Sequence, residues 1–255
     1  MNITPVVKQL LIINVIFFIG SQIGNHNPAY DYLSLYFIEN PNFQPWQLFT
    51  HMFMHAPMPN LMHIVFNMFA LYSFGSALEH FWGGKKFLFF YISCGLGAAL
   101  IHTGVNYYFF QEGINTLVNS GIDKKEIMDI LHKNMINEDM INQWGQILGK
   151  SGFNNFIGAY FGTAVGASGA IYGLLVAFAF MFPNAELMML FIPIPIKAKY
   201  FVPGVLLLDL FSGVTGISLF GGGNIAHFAH VGGALIGFLM MWYWKKNQTH
   251  GNRWN

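Results

Sequence analysis

The run Val165-Gly166-Ala167-Ser168-Gly169-Ala170-Ile171-Tyr172 sets a hydroxyl between glycines, in a stretch with no charged residue from Lys150 to Glu186. A serine hydroxyl is a poor nucleophile until a neighbouring base takes its proton. His230, in a second apolar stretch, can be that base, because burial favours the neutral imidazole. His63 and Asn67 lie four residues apart in a third stretch, so on a helix they share one face. Their ring and amide N–H groups suit an oxyanion, which needs preorganised donors. The backbone N–H of Ser168 is a further donor if a helix effectively starts there, since helix N-termini present free N–H groups. Gly166 and Gly169 keep that backbone accessible. Tyr172, one turn after Ser168, can pack its ring on the His230 imidazole. Together these residue types could perform acyl transfer.

The elements that must position them are set by composition. Hydrophobic residues make up 54% of the 255 and charged residues only 9%, against roughly 25% charged in ordinary soluble domains. Such a chain cannot cover itself with a polar surface, so lipid is its solvent. The charges are also clustered, and from Tyr200 to Trp244 the only one is Asp209. A bilayer-spanning helix needs about 20 mostly apolar residues. Six spans are predicted, over 7–24, 60–80, 87–110, 158–182, 200–218 and 224–244, making one all-α integral membrane domain over residues 1–255. The net charge of +1 gives no basic field for nucleic acid, and the single cysteine, Cys94, cannot form an internal disulfide.

Lys8, Lys85, Lys86, Lys197, Lys199, Lys245, Lys246 and Arg253 fall at one set of span ends, while 25–59 and 219–223 carry no Lys or Arg. The positive-inside rule puts both termini in the cytoplasm. Two segments then lie on the outer side, 25–59 and 111–157. The second holds four lysines and six acids. Ile127, Ile130, Leu131 and Met135 recur in it at helical spacing, as do Ile141, Trp144 and Leu148. It reads as one or two amphipathic helices on the outer face or capping the bundle, acting on substrate access rather than chemistry.

Depth brings the chemistry together. Spans two, four and six run in the same direction, and at about 1.5 Å per residue His63, Asn67, Ser168 and His230 all reach the outer half of the bilayer. Gly233 and Gly237 follow His230 at spacing four, and Gly162 precedes Gly166 by four. Small residues at that spacing let membrane helices approach closely. Each residue alone has a plainer reading. A Gly-x-Ser-Gly run is more often helix packing, a lone intramembrane histidine more often a hydrogen-bond partner, and His63/Asn67 interhelical glue. Glu79 reads as a structural partner, and Asp209 as a cap or a neighbour's partner. His51/His55 and His227/His230 have spacings suited to a metal. However, no His-Glu-x-x-His occurs, and Asp209 is the only carboxylate within the relevant spans, so no metal and no cofactor is expected. It is the coincidence of serine, histidine and donors at one depth that favours catalysis.

These residues resemble the rhomboid family of intramembrane serine proteases. The motifs are His63-x-x-x-Asn67, Gly75-x-x-x-Glu79, Gly166-x-Ser168-Gly169 with Tyr172, and Ala229-His230-x-x-Gly233-x-x-x-Gly237. The resemblance implies a six-helix bundle whose first loop, 25–59, is a membrane-embedded hairpin. It implies a Ser168–His230 dyad lacking a carboxylate partner, with His63 and Asn67 in the oxyanion hole. It also implies cleavage of single-pass membrane proteins in or near their transmembrane segments, in a bacterial cell (inner) membrane. Many members carry Trp-Arg in the first loop; here the pair is Trp46-Gln47, and the third loop, 111–157, is longer than usual. The alternatives are a catalytically silent relative that binds transmembrane helices, or a small transporter with His and Asn along a polar path.

Overall fold

A computed structural model describes residues 2–23, 27–189, 192–215 and 224–247. The expected segment 219–223, the end of the fifth predicted span and Arg253 lie outside the described residues. In chain order the helices are α1 (Pro5–Ser21), α2 (Pro28–Leu33), α3 (Gln47–Thr50), α4 (Leu61–Ala70), α5 (Ser76–Trp82), α6 (Gly84–Asn119), α7 (Lys124–His132), α8 (Glu138–Phe161) and α9 (Ser168–Met181). A short antiparallel hairpin follows, β1 (Glu186–Met189) and β2 (Ile192–Lys197), then α10 (Ala198–Thr215) and α11 (Asn224–Asn247). Among the described residues the named elements are helical apart from that hairpin, which the all-α expectation did not contain. Pro193 and Pro195 sit in β2, where a two-stranded ribbon leaves one edge without ladder bonds.

Among the described residues, three helices are long and apolar enough to cross a membrane by length and composition: Leu61–Trp82, α6 and α10. The first is continuous through one π turn at Leu71–Gly75. α1 and α9 are apolar but shorter. Large side chains face outward along these helices, among them Ile16 and Ile19 on α1, Phe89 and Leu100 on α6, and Leu207 and Val214 on α10. An exposed apolar belt of this kind is what lipid solvates, and helices can enter lipid because they satisfy their own backbone. The protein is a multi-pass membrane protein.

One core cluster gathers Val7, Leu10, Met52, Leu71, Leu78, Phe87, Phe90, Tyr91, Ala170, Ile171 and Leu174 along α9. The motif Gly75-x-x-x-Glu79 attaches α1 to this core. The Glu79 carboxylate accepts hydrogen bonds from the Val6 and Val7 backbone N–H groups at 2.9 and 2.8 Å and from the Thr4 hydroxyl. These are otherwise orphan donors at a helix start, where negative charge is favoured. A Cβ on Gly75 would lie 3.0 Å from Val7 Cγ2, so the glycine lets α1 seat closely.

The third predicted span is longer than expected. α6 has 36 residues, about 54 Å, against a hydrocarbon core of about 30 Å. Its far end carries Phe110, Ile114 and Leu117 into a second core with Ile127, Ile130 and Leu131 of α7, Trp144, Phe156, Ala159 and Tyr160 of α8, and Phe37 of the first loop. The insertion 111–157 is therefore a folded part of the scaffold. Of the two arrangements expected for it, resting on the surface or capping the bundle, this packing is of the second kind. Met135 and Ile141, assigned to its apolar faces, are 53% and 44% exposed, because α7 stops at His132 and α8 turns Trp144 inward instead. Asp123 caps α7 and Asn137 caps α8, each side chain accepting from a first-turn N–H. Gly149, at φ 69°, breaks α8 midway.

The fourth predicted span also differs. Residues 162–167 are not helical, and Ala164 pairs with Leu35 of the first loop in an isolated antiparallel bridge. The helix begins only at Ser168.

Candidate active site

Ser168 is the first residue of α9, and no side chain caps that end. The approach to it is extended: Gly166 has φ 123° and donates its N–H to the His51 carbonyl at 2.9 Å. Only glycine holds that conformation without strain. The local sequence thus places the hydroxyl beside free helix N-terminal amides.

His230 lies on α11, with Nε2 2.8 Å from Ser168 Oγ. The Tyr172 ring lies parallel on the His230 imidazole, with centroids 4.3 Å apart and planes 10° from parallel. What lets the two helices meet is glycine against glycine. A Cβ on Gly233 would lie 1.9 Å from the Gly169 carbonyl oxygen, and one on Gly237 2.8 Å from Gly173 Cα. Gly162, expected to help α9 approach its neighbour, lies beyond the end of α8 and outside α9. Gly173 takes that part: a Cβ there would meet Cys94 Sγ at 2.4 Å and the Gly233 carbonyl oxygen at 3.1 Å. Spacing of four from Gly169 was its available signal.

His63 and Asn67 sit on α4. The His63 Nδ1 accepts a hydrogen bond from the Ala56 backbone N–H at 3.1 Å. In a neutral ring that leaves the proton on Nε2. A Cβ built on Gly166 would be 3.2 Å from His63 Nε2 and 3.6 Å from Ser168 Oγ. One small space beside Gly166 is therefore flanked by the hydroxyl and the imidazole together. Asn67 donates from Nδ2 to the His63 carbonyl at 2.7 Å, so one of its two amide protons is engaged within α4. Its Oδ1 is buried without a protein partner. Behind His63 stands His55, edge-on at 5.3 Å between centroids, which is itself tied to Asn14 Oδ1 at 2.9 Å.

The dyad implied by the resemblance has no carboxylate, but here one is close. Asp209 of α10, 7% exposed, hydrogen bonds His227 Nδ1 and lies 3.4 Å from His230 Nδ1, both through Oδ1. In the sequence Asp209 reads as a cap or a neighbour's partner, and the neighbours are these two histidines. Donor atoms of Asp209, His227 and His230 all lie within 4.8 Å of one another. An ion drawing on both Nδ1 atoms would leave the proton of a neutral His230 on Nε2, facing the hydroxyl, and so remove the base.

Gln47, beside Trp46 in the first loop, is fully buried. Its Oε1 accepts from the Gln44 and Tyr36 backbone N–H groups at 3.1 and 3.3 Å, and Nε2 donates to the Asn42 carbonyl at 3.0 Å. Trp46 Nε1 donates to the Tyr32 carbonyl at 2.9 Å. A neutral amide thus staples the first loop.

The helical membrane fold and a serine–histidine contact beneath a glycine-held turn define a class: polytopic membrane proteins with the elements of a serine hydrolase site. Residues 42–118 and 141–247 match the family model for the Rhomboid domain, and the chain belongs to that family. It is also similar to "Rhomboid protein 1, mitochondrial" of Saccharomyces cerevisiae (strain ATCC 204508 / S288c), 33% identical over 88 residues. That alignment covers 34% of this chain and 24% of the yeast protein, so the chain spans about a quarter of this relative's length.

Proposed function

We propose that the protein is an intramembrane serine endopeptidase, hydrolysing peptide bonds in or near transmembrane segments of single-pass membrane proteins. The observation that carries this reading is the space beside Gly166, reached by Ser168 Oγ and His63 Nε2, with His230 Nε2 2.8 Å from the hydroxyl. His230 takes the Ser168 proton as Oγ attacks a carbonyl carbon in that space. The Ser168 backbone N–H, the His63 Nε2–H and the second Asn67 amide proton stabilise the oxyanion. Tyr172 holds the imidazole in plane. Gly169, Gly233 and Gly237 set the distance between the two helices.

On this reading six segments cross the bilayer as one domain, α9 rising only about 21 Å from its cytoplasmic end to Ser168. The hydroxyl then lies below the outer surface, within reach of a substrate segment that has left its helix. The lysine-rich ends face the cytoplasm. Lys86 stacks on Trp244 at 4.1 Å and Lys246 lies over Trp242 at 5.4 Å, cation–aromatic pairs suited to an interface. The membrane is proposed to be a bacterial cell membrane.

The test is incubation of the purified protein with a fluorophosphonate probe and with a single-pass substrate in liposomes. Ser168→Ala should lose labelling and cleavage while its melting temperature is kept, and His230→Ala should lose cleavage equally. The double variant should be no worse than either single one, because the two act as a unit. Cleavage retained by Ser168→Ala would refute the reading. A folded wild type that neither labels nor cleaves would favour a helix-binding relative without activity.

A further inference from the structure

Asp209 is the one carboxylate beside the serine–histidine pair among the described residues, and it arrives on a different helix from either. Its Oδ1 meets the Nδ1 atoms of His227 and His230, which lie three residues apart on one face of α11. The Tyr172 hydroxyl faces the same carboxylate. We propose that Asp209 is a positioning residue for His230: it fixes the imidazole tautomer and answers the positive charge that develops on the ring. The inference rests on the serine endopeptidase reading above.

A neutral imidazole carries one N–H. An ionised carboxylate only accepts, so facing Nδ1 it holds the proton there and leaves the Nε2 lone pair toward the hydroxyl. When Ser168 reacts, its proton passes to Nε2, the Oγ electron pair forms the bond to carbon, and the carbonyl π pair moves to oxygen. His230 becomes an imidazolium while Asp209 stays ionised. The serine side of the ring is already set at 2.8 Å, and Tyr172 limits its rotation.

The resting distances explain why the carboxylate helps the transition state more than the ground state. A separation of 3.4 Å is at the edge of hydrogen bonding, whereas His227 is the nearer donor. In the resting protein His227 satisfies the buried carboxylate, and the bond to His230 is weak. Once His230 is cationic its Nδ1–H becomes the stronger donor, and a shift of a few tenths of an ångström makes a full charge-assisted bond. An interaction stronger in the transition state than before it lowers the barrier. His227 keeps the carboxylate aimed at this face of α11.

The test compares wild type with Asp209→Asn by the kinetics of fluorophosphonate labelling of Ser168, separating the maximal inactivation rate from the half-saturating probe concentration. The amide can still face Nδ1 but offers no charge. The expected result is a maximal rate lower by about tenfold or more, with half-saturation changed less than about twofold. An unchanged maximal rate overturns the proposal. Proton NMR on wild type, with Ser168 phosphonylated so that His230 is held as imidazolium, reads the contact directly even if Asp209→Asn fails to fold. A strongly downfield Nδ1 proton, absent from a His230→Ala sample, supports the bond, and its absence from wild type overturns it. Equal labelling of wild type and Asp209→Asn would remove Asp209 from the mechanism and leave the serine reading standing. Absence of any Ser168 labelling in folded wild type would remove both.

Discussion

At the residue scale, Gly166 is the most constrained position of the candidate site. It has two demands on it at once: φ of 123°, and a Cβ position 2.9 Å from His63 Cε1. A methyl group there would occupy the space assigned to the scissile carbonyl and push the ring aside. Gly166→Ala is expected to reduce fluorophosphonate labelling at least about a hundredfold, comparable to the loss of an oxyanion donor. The fold should survive, because the strain is local. Labelling within a few-fold of wild type, measured on protein of unchanged melting temperature, would show that the space beside Gly166 is not the reacting one. The pairing of Ser168 with His230 was legible in the residue types and in the glycines beside them, although the helical depth count was not its true ground, because residues 162–167 are not helical and the helix begins at Ser168. The place of Asp209 was not. Counting gives depth but not rotation, and only the packing of α10 on α11 turns its carboxylate toward His227 and His230.

At the element scale, the first loop is held by neutral groups, and this sets its response to acid. Burial lowers His51 to about 4 and His55 to about 3, both from an ordinary value of 6.5. Between those values the unfolded chain binds more protons than the folded one, so stability rises with pH across that window. The contribution is fully present above about pH 6.5 and is lost as pH falls toward 4. For His51 alone the loss is on the order of 3 kcal/mol. His51 also carries the Gly166 N–H on its carbonyl, so loosening the loop releases the turn before Ser168. The melting temperature should drop steadily from pH 7 to pH 4.5, with proteolytic nicking appearing within 27–60. His51→Phe should flatten that slope, and a slope unchanged by the substitution would place the acid-sensitive group elsewhere. Reading such a loop from sequence fails for a physical reason. Gln47 holds the loop by three hydrogen bonds of a neutral amide, and no periodicity announces a buried polar staple. The glycine pattern was only half legible for a similar reason. Gly233 and Gly237 lie on a regular helix, where spacing of four means one face. Gly162 and Gly166 lie where the chain is extended, and there the same spacing means nothing.

At the scale of the whole molecule, two cores share α6, and they divide the work. The first runs along α9 from Ala170 to Ala177, and the second joins the insertion to the far end of α6. Two ties join the first loop to the segment that leads from the second core to Ser168, the Asn40 amide on the Tyr160 carbonyl at 3.2 Å and the Leu35–Ala164 bridge. Polarity made the insertion look detachable in the sequence: ten of its residues are charged. Yet those charges face out, and Trp144 and Tyr160 beneath them are 1% exposed. Replacing 115–150 with a short Gly/Ser linker would strip Phe110, Phe156 and Tyr160 of their cover and loosen both ties, which lie at Tyr160 and Ala164 just before Ser168. It is therefore expected to lower the melting temperature and the fluorophosphonate labelling together. Trp144→Ala, which leaves the chain length intact, should cost about 3–5 kcal/mol of stability by opening a cavity in the second core. Labelling per folded molecule should stay near wild type, because the first core is untouched. If the linker variant labelled Ser168 at the wild-type rate and melted at the wild-type temperature, the insertion would be an appendage and the second core irrelevant to the site. If Trp144→Ala lowered labelling without lowering stability, the two cores would be coupled through α6 more tightly than two hydrogen-bonded ties allow.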